Sequence, residues 1–520
     1  MAVNRGLGVV VCVAIVVLGM GVSANGVAFA QKAGKTADQA AAKADAPKKM
    51  TKEQAEELFK QVDVILKYAS DDSKLPIVHS VKRTLISRED VTHFLMARFD
   101  EDESAKRLQR SEIVLKKFGL LDRDFHLRPF LISLLTEQIA GFYDSKTKTV
   151  NMLDWIEPEE QEPVLAHELT HALQDQRVGL LKWASTADNL VGKNVADDNR
   201  HIQTDEADTA REAVTEGQAM AVFVDFSLDK AKAGKKLADM PDEMFAMMQS
   251  ATGDSASSPI LARAPLLLQQ SLLFPYSAGL GFERELLRRG GAKMAFADAL
   301  DRPPTSSAEI LHPEIYIART PVPVLRLPDL HPLIDAEYAP YDVGVMGEQD
   351  VHMLTELFGG KQIADALAPA WAGGIYYAAQ RRSAVTAAAK DSQASLGLIY
   401  FSRWKNPDSA RSFMRVYAGQ LGRKYSGLAR DKKREGDGGE QVYTTAEGDV
   451  LLTISGSDVF ISEGFDLEVA RTMRGKIAAV QGDGVLQVAG SREVRRELGV
   501  SLGAMLGEFG TMRAGVEMGR

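Results

Sequence analysis

The chain has 520 residues, of which 45% are hydrophobic and 26% charged, and a formal net charge of -9. That apolar content is ample for two or three packed domains, while an acidic balance without a sustained basic stripe argues against a nucleic-acid partner. The single cysteine, Cys12, lies in the N-terminal leader, so the remaining chain has no disulfide framework, no thiolate metal site and no cysteine nucleophile.

Residues 1–30 read as a secretory signal peptide. Arg5 precedes an apolar run from Leu7 to Leu18, and small residues lead to Ala28-Phe29-Ala30, with cleavage expected near Ala30. The run is shorter than the roughly 20 residues of a comfortable membrane span. A cleaved leader makes the protein secreted or periplasmic with no stable membrane span, and a retained anchor is the alternative. Residues 31–50, rich in Ala, Lys, Gly and Asp, carry too few large apolar groups to pack and are expected to be a flexible linker.

The fold expected beyond is α+β and mostly helical, with a mainly helical domain over 51–394. Leu58, Val62, Ile65 and Leu66 recur at helical spacing after Thr51, a second helix is expected from about Ser87 into Phe118, and a third from Phe130 to Ile139. Gly141-Phe142-Tyr143 and Thr149–Leu153 flank a turn and predict a hairpin. That hairpin is either ordinary or the strand edge that holds an extended substrate.

Pro158 and Pro163 with Glu159 and Glu160 signal a helix start, and the helix they open contains His167-Glu168-Leu169-Thr170-His171. Four residues apart on a helix, the two imidazoles project from one face and can close on one zinc ion. Glu168 points away from that pair yet can reach a water beside the metal, which is the position of a general base. Val164, Leu165, Ala166, Leu169, Ala172 and Leu173 wrap the same helix in apolar side chains, and buried imidazoles need a partner. The extended form with a third histidine fails, because Gln174 and Arg177 stand at its Gly and His positions.

The polar stretch from Val178 to Asp205 is expected to be a flap or an insertion. Its Asp and Asn residues lack the spacing of a calcium loop. Asp208, Glu212 and Glu216 then form one acidic stripe on a helix whose second half is apolar nearly all round. An acidic stripe is ordinarily a solvated face, but Glu216 enters a buried run and would need a cation. Further helices are expected at 240–249, 264–273, 282–289 and 295–300. His312 and Tyr316, in His312-Pro313-Glu314-Ile315-Tyr316, are the candidate hydrogen-bond donors for a developing oxyanion; a capped structural His before Pro is the alternative. Residues 330–390 are expected to continue as helix, with a turn at Trp371-Ala372-Gly373-Gly374. A small α+β module follows over 395–481, and a tail over 482–520 carries one helix, 492–509, suited to docking or self-association.

His167, Glu168 and His171 followed by Glu216-Gly217-x-Ala219 resemble the gluzincins, zinc peptidases with two histidines from HExxH and a glutamate from a later helix. The resemblance implies a zincin-like metallopeptidase core, one Zn2+ per chain held by His167, His171 and Glu216, and Glu168 as base. Glu212 is the rival third ligand, and Glu212 or Asp208 could instead orient a histidine. A wider resemblance, over about 125–390, is to a little-characterised group of exported bacterial proteins with zinc-peptidase-like sites. It is carried by Gly141-Phe142-Tyr143-Asp144, the run from His167 to Gln176, Glu216-Gly217, Phe274-Pro275-Tyr276 and Ile310–Tyr316. The implied function is hydrolysis of peptide bonds in a peptide or protein substrate. The alternatives are another amide, such as one in cell-wall peptide, and a non-catalytic envelope scaffold with a structural metal whose C-terminal module binds a partner.

Overall fold

The computed structural model describes residues 49–100, 102–183, 194–252 and 259–481. The expected signal peptide, the linker up to residue 48 and the tail from 482 lie outside these residues, as do 184–193 of the expected flap. Among the described residues no helix is long and apolar enough to cross a membrane.

The fold is α+β, with many helices, a three-stranded sheet and a larger antiparallel one. Helix α1 (Lys52–Ser73) starts at a reciprocal cap, in which the Thr51 hydroxyl accepts from the Gln54 N–H and the Gln54 side chain accepts from the Thr51 N–H. The single helix expected into Phe118 is two, α2 (Arg88–Asp100) and α3 (Asp102–Phe118), followed by α4 (Leu127–Gln138). The expected hairpin is present as β2 (Phe142–Asp144) and β3 (Thr149–Leu153), with β1 (Lys82–Ile86) parallel to β3 on its other side. The order β1-β3-β2 leaves β2 at an edge.

Three long helices build the centre of the molecule. Helix α5 (Pro158–Val178) has proline in its first turn and ends at Gly179, whose φ of 69° is the left-handed conformation that glycine adopts without strain. Helix α6 (Val195–Lys230) begins well before the expected Asp208. Its polar start is stable as helix because Asn194 caps it, accepting from the Ala196 and Asp197 N–H groups. Helix α7 (Leu266–Ala292) replaces the two helices expected at 264–273 and 282–289; it runs through Pro275 because both halves bury residues in the core, a tertiary gain that outweighs the local break. A methyl group on Gly217 would sit 2.4 Å from the Gly279 carbonyl, so α6 and α7 cross at a distance only glycine permits.

The large sheet corrects the expectation for 330–390. Strands β4 (Tyr338–Val345) and β5 (Trp371–Arg381) flank α8 (Glu348–Gly359), and Trp371–Gly374 is the start of a strand. From Gly373 to Ala379 the β5 residues are buried without alternation, and a strand covered on both faces shows no period of two. The sheet continues through β6 (Leu396–Trp404), helix α9 (Pro407–Lys424), β7 (Ala429–Arg430), β8 (Gln441–Thr445), β9 (Gly448–Ser455) and β10 (Asp458–Glu463), and α10 (Leu467–Val480) closes it. Its order is β4-β5-β6-β10-β9-β8-β7. Because β5 pairs with β6, the sheet crosses the boundary expected between 394 and 395.

Packing therefore groups the chain differently from a simple division at that point. One core joins α1, α5, α6, α7 and the hairpin, whereas the other joins residues of α2, α3 and α4 to both faces of the large sheet.

Candidate metal centre

Burial along α5 is continuous from Val164 to Asp175, so its two histidines and Glu168 are fully inside the protein. Glu216 reaches the same point from α6, positioned by the Gly217–Gly279 crossing one residue further on. The His167 Nε2 and His171 Nε2 atoms lie 3.1 Å apart; Glu216 Oε2 is 3.1 Å from the first and 3.5 Å from the second. Among the described residues these three are the only group of His, Cys, Asp and Glu side chains arranged to hold a metal ion.

The donor set fits a tetrahedral cation. An ion bound at 2.0–2.1 Å to each ligand requires the ligands to be about 3.3 Å from one another, which is the spread found here. A carboxylate oxygen and two ring nitrogens converge here in a dry interior, where a bound cation would satisfy all three. Burial holds His167 below the usual imidazole range, against the opposing pull of Glu216. Burial alone would raise the Glu216 carboxyl, but the facing imidazoles outweigh it and hold it at about 2, so this side chain is an anion at neutral pH.

Glu212 stays outside the triangle, one turn before Glu216, and its carboxyl is pushed well above the ordinary range by burial, by Glu216 and by Asp208. The orientation of His171 falls to neither Glu212 nor Asp208. Instead His171 Nδ1 is 2.7 Å from Gln174 Oε1, on the next turn of its own helix. Sequence reading passed over Gln174 as a departure from a longer motif; its place three residues after His171, on the same helix face, was the available signal.

Glu168 lies against the hairpin. Its Oε2 accepts the Tyr143 N–H at 2.7 Å, on the side of β2 away from β3. The residues after Gln174 tie α5 to the same region: Asp175 accepts from the Tyr143 hydroxyl, Lys148 and the Leu180 N–H, and Gln176 pairs with the main chain at Val78 and His79. Tyr276, quoted only as part of a wider motif, packs its ring on His167 with centroids 6.2 Å apart.

Each of the two expected oxyanion donors is engaged with a partner outside the triangle. The Tyr316 hydroxyl donates to the Arg302 carbonyl, with its ring packed on Phe282. His312 Nε2 is 2.8 Å from Glu348, in a cleft of about 490 Å³ that Leu273, Phe274 and Ser277 of α7 also line. No family model matches this chain, and no curated protein and no solved structure is significantly similar to it.

Proposed function

We propose that this chain is an exported zinc metallopeptidase, a gluzincin-like hydrolase that cleaves peptide bonds in a peptide or protein substrate outside the cytoplasm. The observation that carries the reading is the convergence of His167, His171 and Glu216 at tetrahedral spacing, with Glu168 adjacent in sequence to His167, equally buried and outside the ligand group. Zinc held by His167, His171 and Glu216 would supply a Lewis acid for activating a water and polarising the scissile carbonyl. Glu168 takes the proton from the attacking water and returns it to the leaving amine. The Tyr143 N–H holds Glu168 in place.

One observation favours a second reading. His167, Glu168 and His171 are 0% exposed and Glu216 is 2% exposed, as befits a metal that joins two helices in a non-catalytic envelope scaffold. In that reading the sheet region over 395–481 serves self-association or binding of a partner.

The test is zinc content and hydrolysis of an unfolded protein substrate, measured on wild type and Glu168→Gln. The expected result is one zinc per chain in both, with turnover lower in the variant by about 10²–10⁴-fold. A zinc-loaded wild type that cleaves neither unfolded protein nor cell-wall peptide would overturn the peptidase reading in favour of the scaffold.

A further inference from the structure

A chain of two buried amides leads away from the candidate metal ligand His171, and its geometry leaves little freedom in where the protons sit. Gln174 Nε2 is 2.9 Å from the Thr215 carbonyl and 2.9 Å from Gln218 Oε1. Gln218 Nε2 is in turn 2.7 Å from the Ala295 carbonyl and 3.1 Å from the Phe296 carbonyl. Gln174, Gln218 and His171 are all 0% exposed, so bulk water is not an alternative partner.

A main-chain carbonyl can only accept a hydrogen bond. The Ala295 and Phe296 carbonyls therefore require the NH2 end of Gln218 to face them, which turns its Oε1 toward Gln174. The Thr215 carbonyl and that Oε1 then require the NH2 end of Gln174, which turns the Gln174 Oε1 toward His171. An oxygen at 2.7 Å from His171 Nδ1 needs a proton on Nδ1. In a neutral ring this leaves Nε2 bare, and Nε2 is the atom that faces His167 and Glu216. If either amide were flipped, a donor would point at a donor, or a carbonyl at a carbonyl, in a site with no solvent to repair it.

We infer that Gln174 and Gln218 are positioning residues that set the tautomer of His171, so that three main-chain carbonyls from α6 and from the turn after α7 prepare it to bind metal. This rests on the proposed metal site. It also accounts for two sequence features that the HExxH pattern leaves unexplained: glutamine at 174, and glutamine at 218 two residues after the carboxylate ligand. Gln218 sits on the turn of α6 that carries Glu216, and Gln174 on the turn of α5 that follows His171. The relay thus couples the separation of the two ligand helices to the protonation of a ligand ring, which an outer partner on one helix alone would not do.

The test is the affinity of the full chain for Zn2+ alone, by competition with a chromogenic chelator, together with urea unfolding of the metal-free protein. Three variants are compared with wild type. Gln174→Met removes the acceptor at His171, and its zinc affinity is expected to fall about 10–100-fold, the range for lost outer partners of a ligand. Gln218→Met leaves Gln174 in place but removes the group that orients it, and a smaller fall is expected. Gln174→Glu keeps an oxygen against His171 while placing a second oxygen against the Thr215 carbonyl. Its metal-free stability is expected to fall while its zinc affinity stays within a few-fold of wild type.

That separation distinguishes positioning from mere helix packing. If Gln174→Glu loses as much zinc affinity as Gln174→Met, or if Gln174→Met binds zinc as wild type does, the relay has no role in preparing His171 and the inference is overturned. A wild type that binds no zinc overturns the reading of the site itself, and this inference with it.

Discussion

Two buried polar clusters in this molecule solve the same problem in opposite ways. In the candidate metal centre His167, His171 and Glu216 bring one carboxylate and two ring nitrogens together, and the described residues provide no lysine or arginine hydrogen-bonded to Glu216. Under the large sheet Glu463 is equally buried, but Lys424 Nζ meets its two oxygens at 2.6 and 2.7 Å, and the hydroxyls of Tyr417 and Tyr425 donate to it. Lys117, from α3, stands beside the pair and reaches Glu447 at 3.2 Å. Burial draws Lys424 down to about 8, and the two lysines hold Glu463 below the usual carboxylate range against its own burial. The contrast shows what separates a site from a strut. A buried anion supplied with its own cations is complete as folded, whereas one held by two imidazoles at ligand spacing leaves a place for a cation from outside.

Removing the carboxylate should therefore act oppositely in the two places. Glu463→Leu leaves Lys424 as an uncompensated buried charge, and a loss of about 3–5 kcal/mol is expected in urea unfolding, with zinc affinity unchanged. Equal stability of this variant would break the comparison from the sheet side. Glu216→Leu should lose at least about 100-fold in zinc affinity, the upper range for changes further from a metal. Its metal-free form should lose less stability than Glu463→Leu does, because no ammonium is left buried without its partner. An equal loss would mean that the centre is a strut as well.

A third cluster lies between these extremes and sharpens the comparison. Asp72 and Asp229 each sit 2.9 Å from Lys236, and Asp225 sits 3.9 Å from it, so three carboxylates share one ammonium. The excess is met by a proton: burial, then Asp72, push the Asp225 carboxyl up to about 7. Between the ordinary aspartate range near 4 and about 7 the folded chain holds a proton that the unfolded chain has lost, so stability falls as pH rises through that window. Asp225→Asn keeps an acceptor for the Leu237 N–H and removes the ionisation. In urea unfolding at pH 5 and pH 8, the fall in stability across that range should be smaller in the variant by about 2 kcal/mol.

How far the sequence could be read varied with the range of the forces involved. HExxH was legible because helical spacing alone puts His167 and His171 on one face. Strands β4 and β5 were not legible, since Tyr376, Tyr377, Ala378 and Ala379 are buried on both faces and lose the alternation that marks a strand. The early start of α6 was hidden by its Asn and Asp residues, which read as loop until Asn194 is seen to cap them.

Local composition and spacing were enough to determine the helix that carries the metal pair, the hairpin before it and the acidic stripe from which a third ligand would come. Only the tertiary structure chose Glu216 over Glu212, turned Gln174 toward His171 and sent Tyr316 to Arg302. Those choices depend on where α6 and α7 cross at Gly217 and Gly279, between residues 62 positions apart in the chain, and no local pattern encodes a contact over that separation.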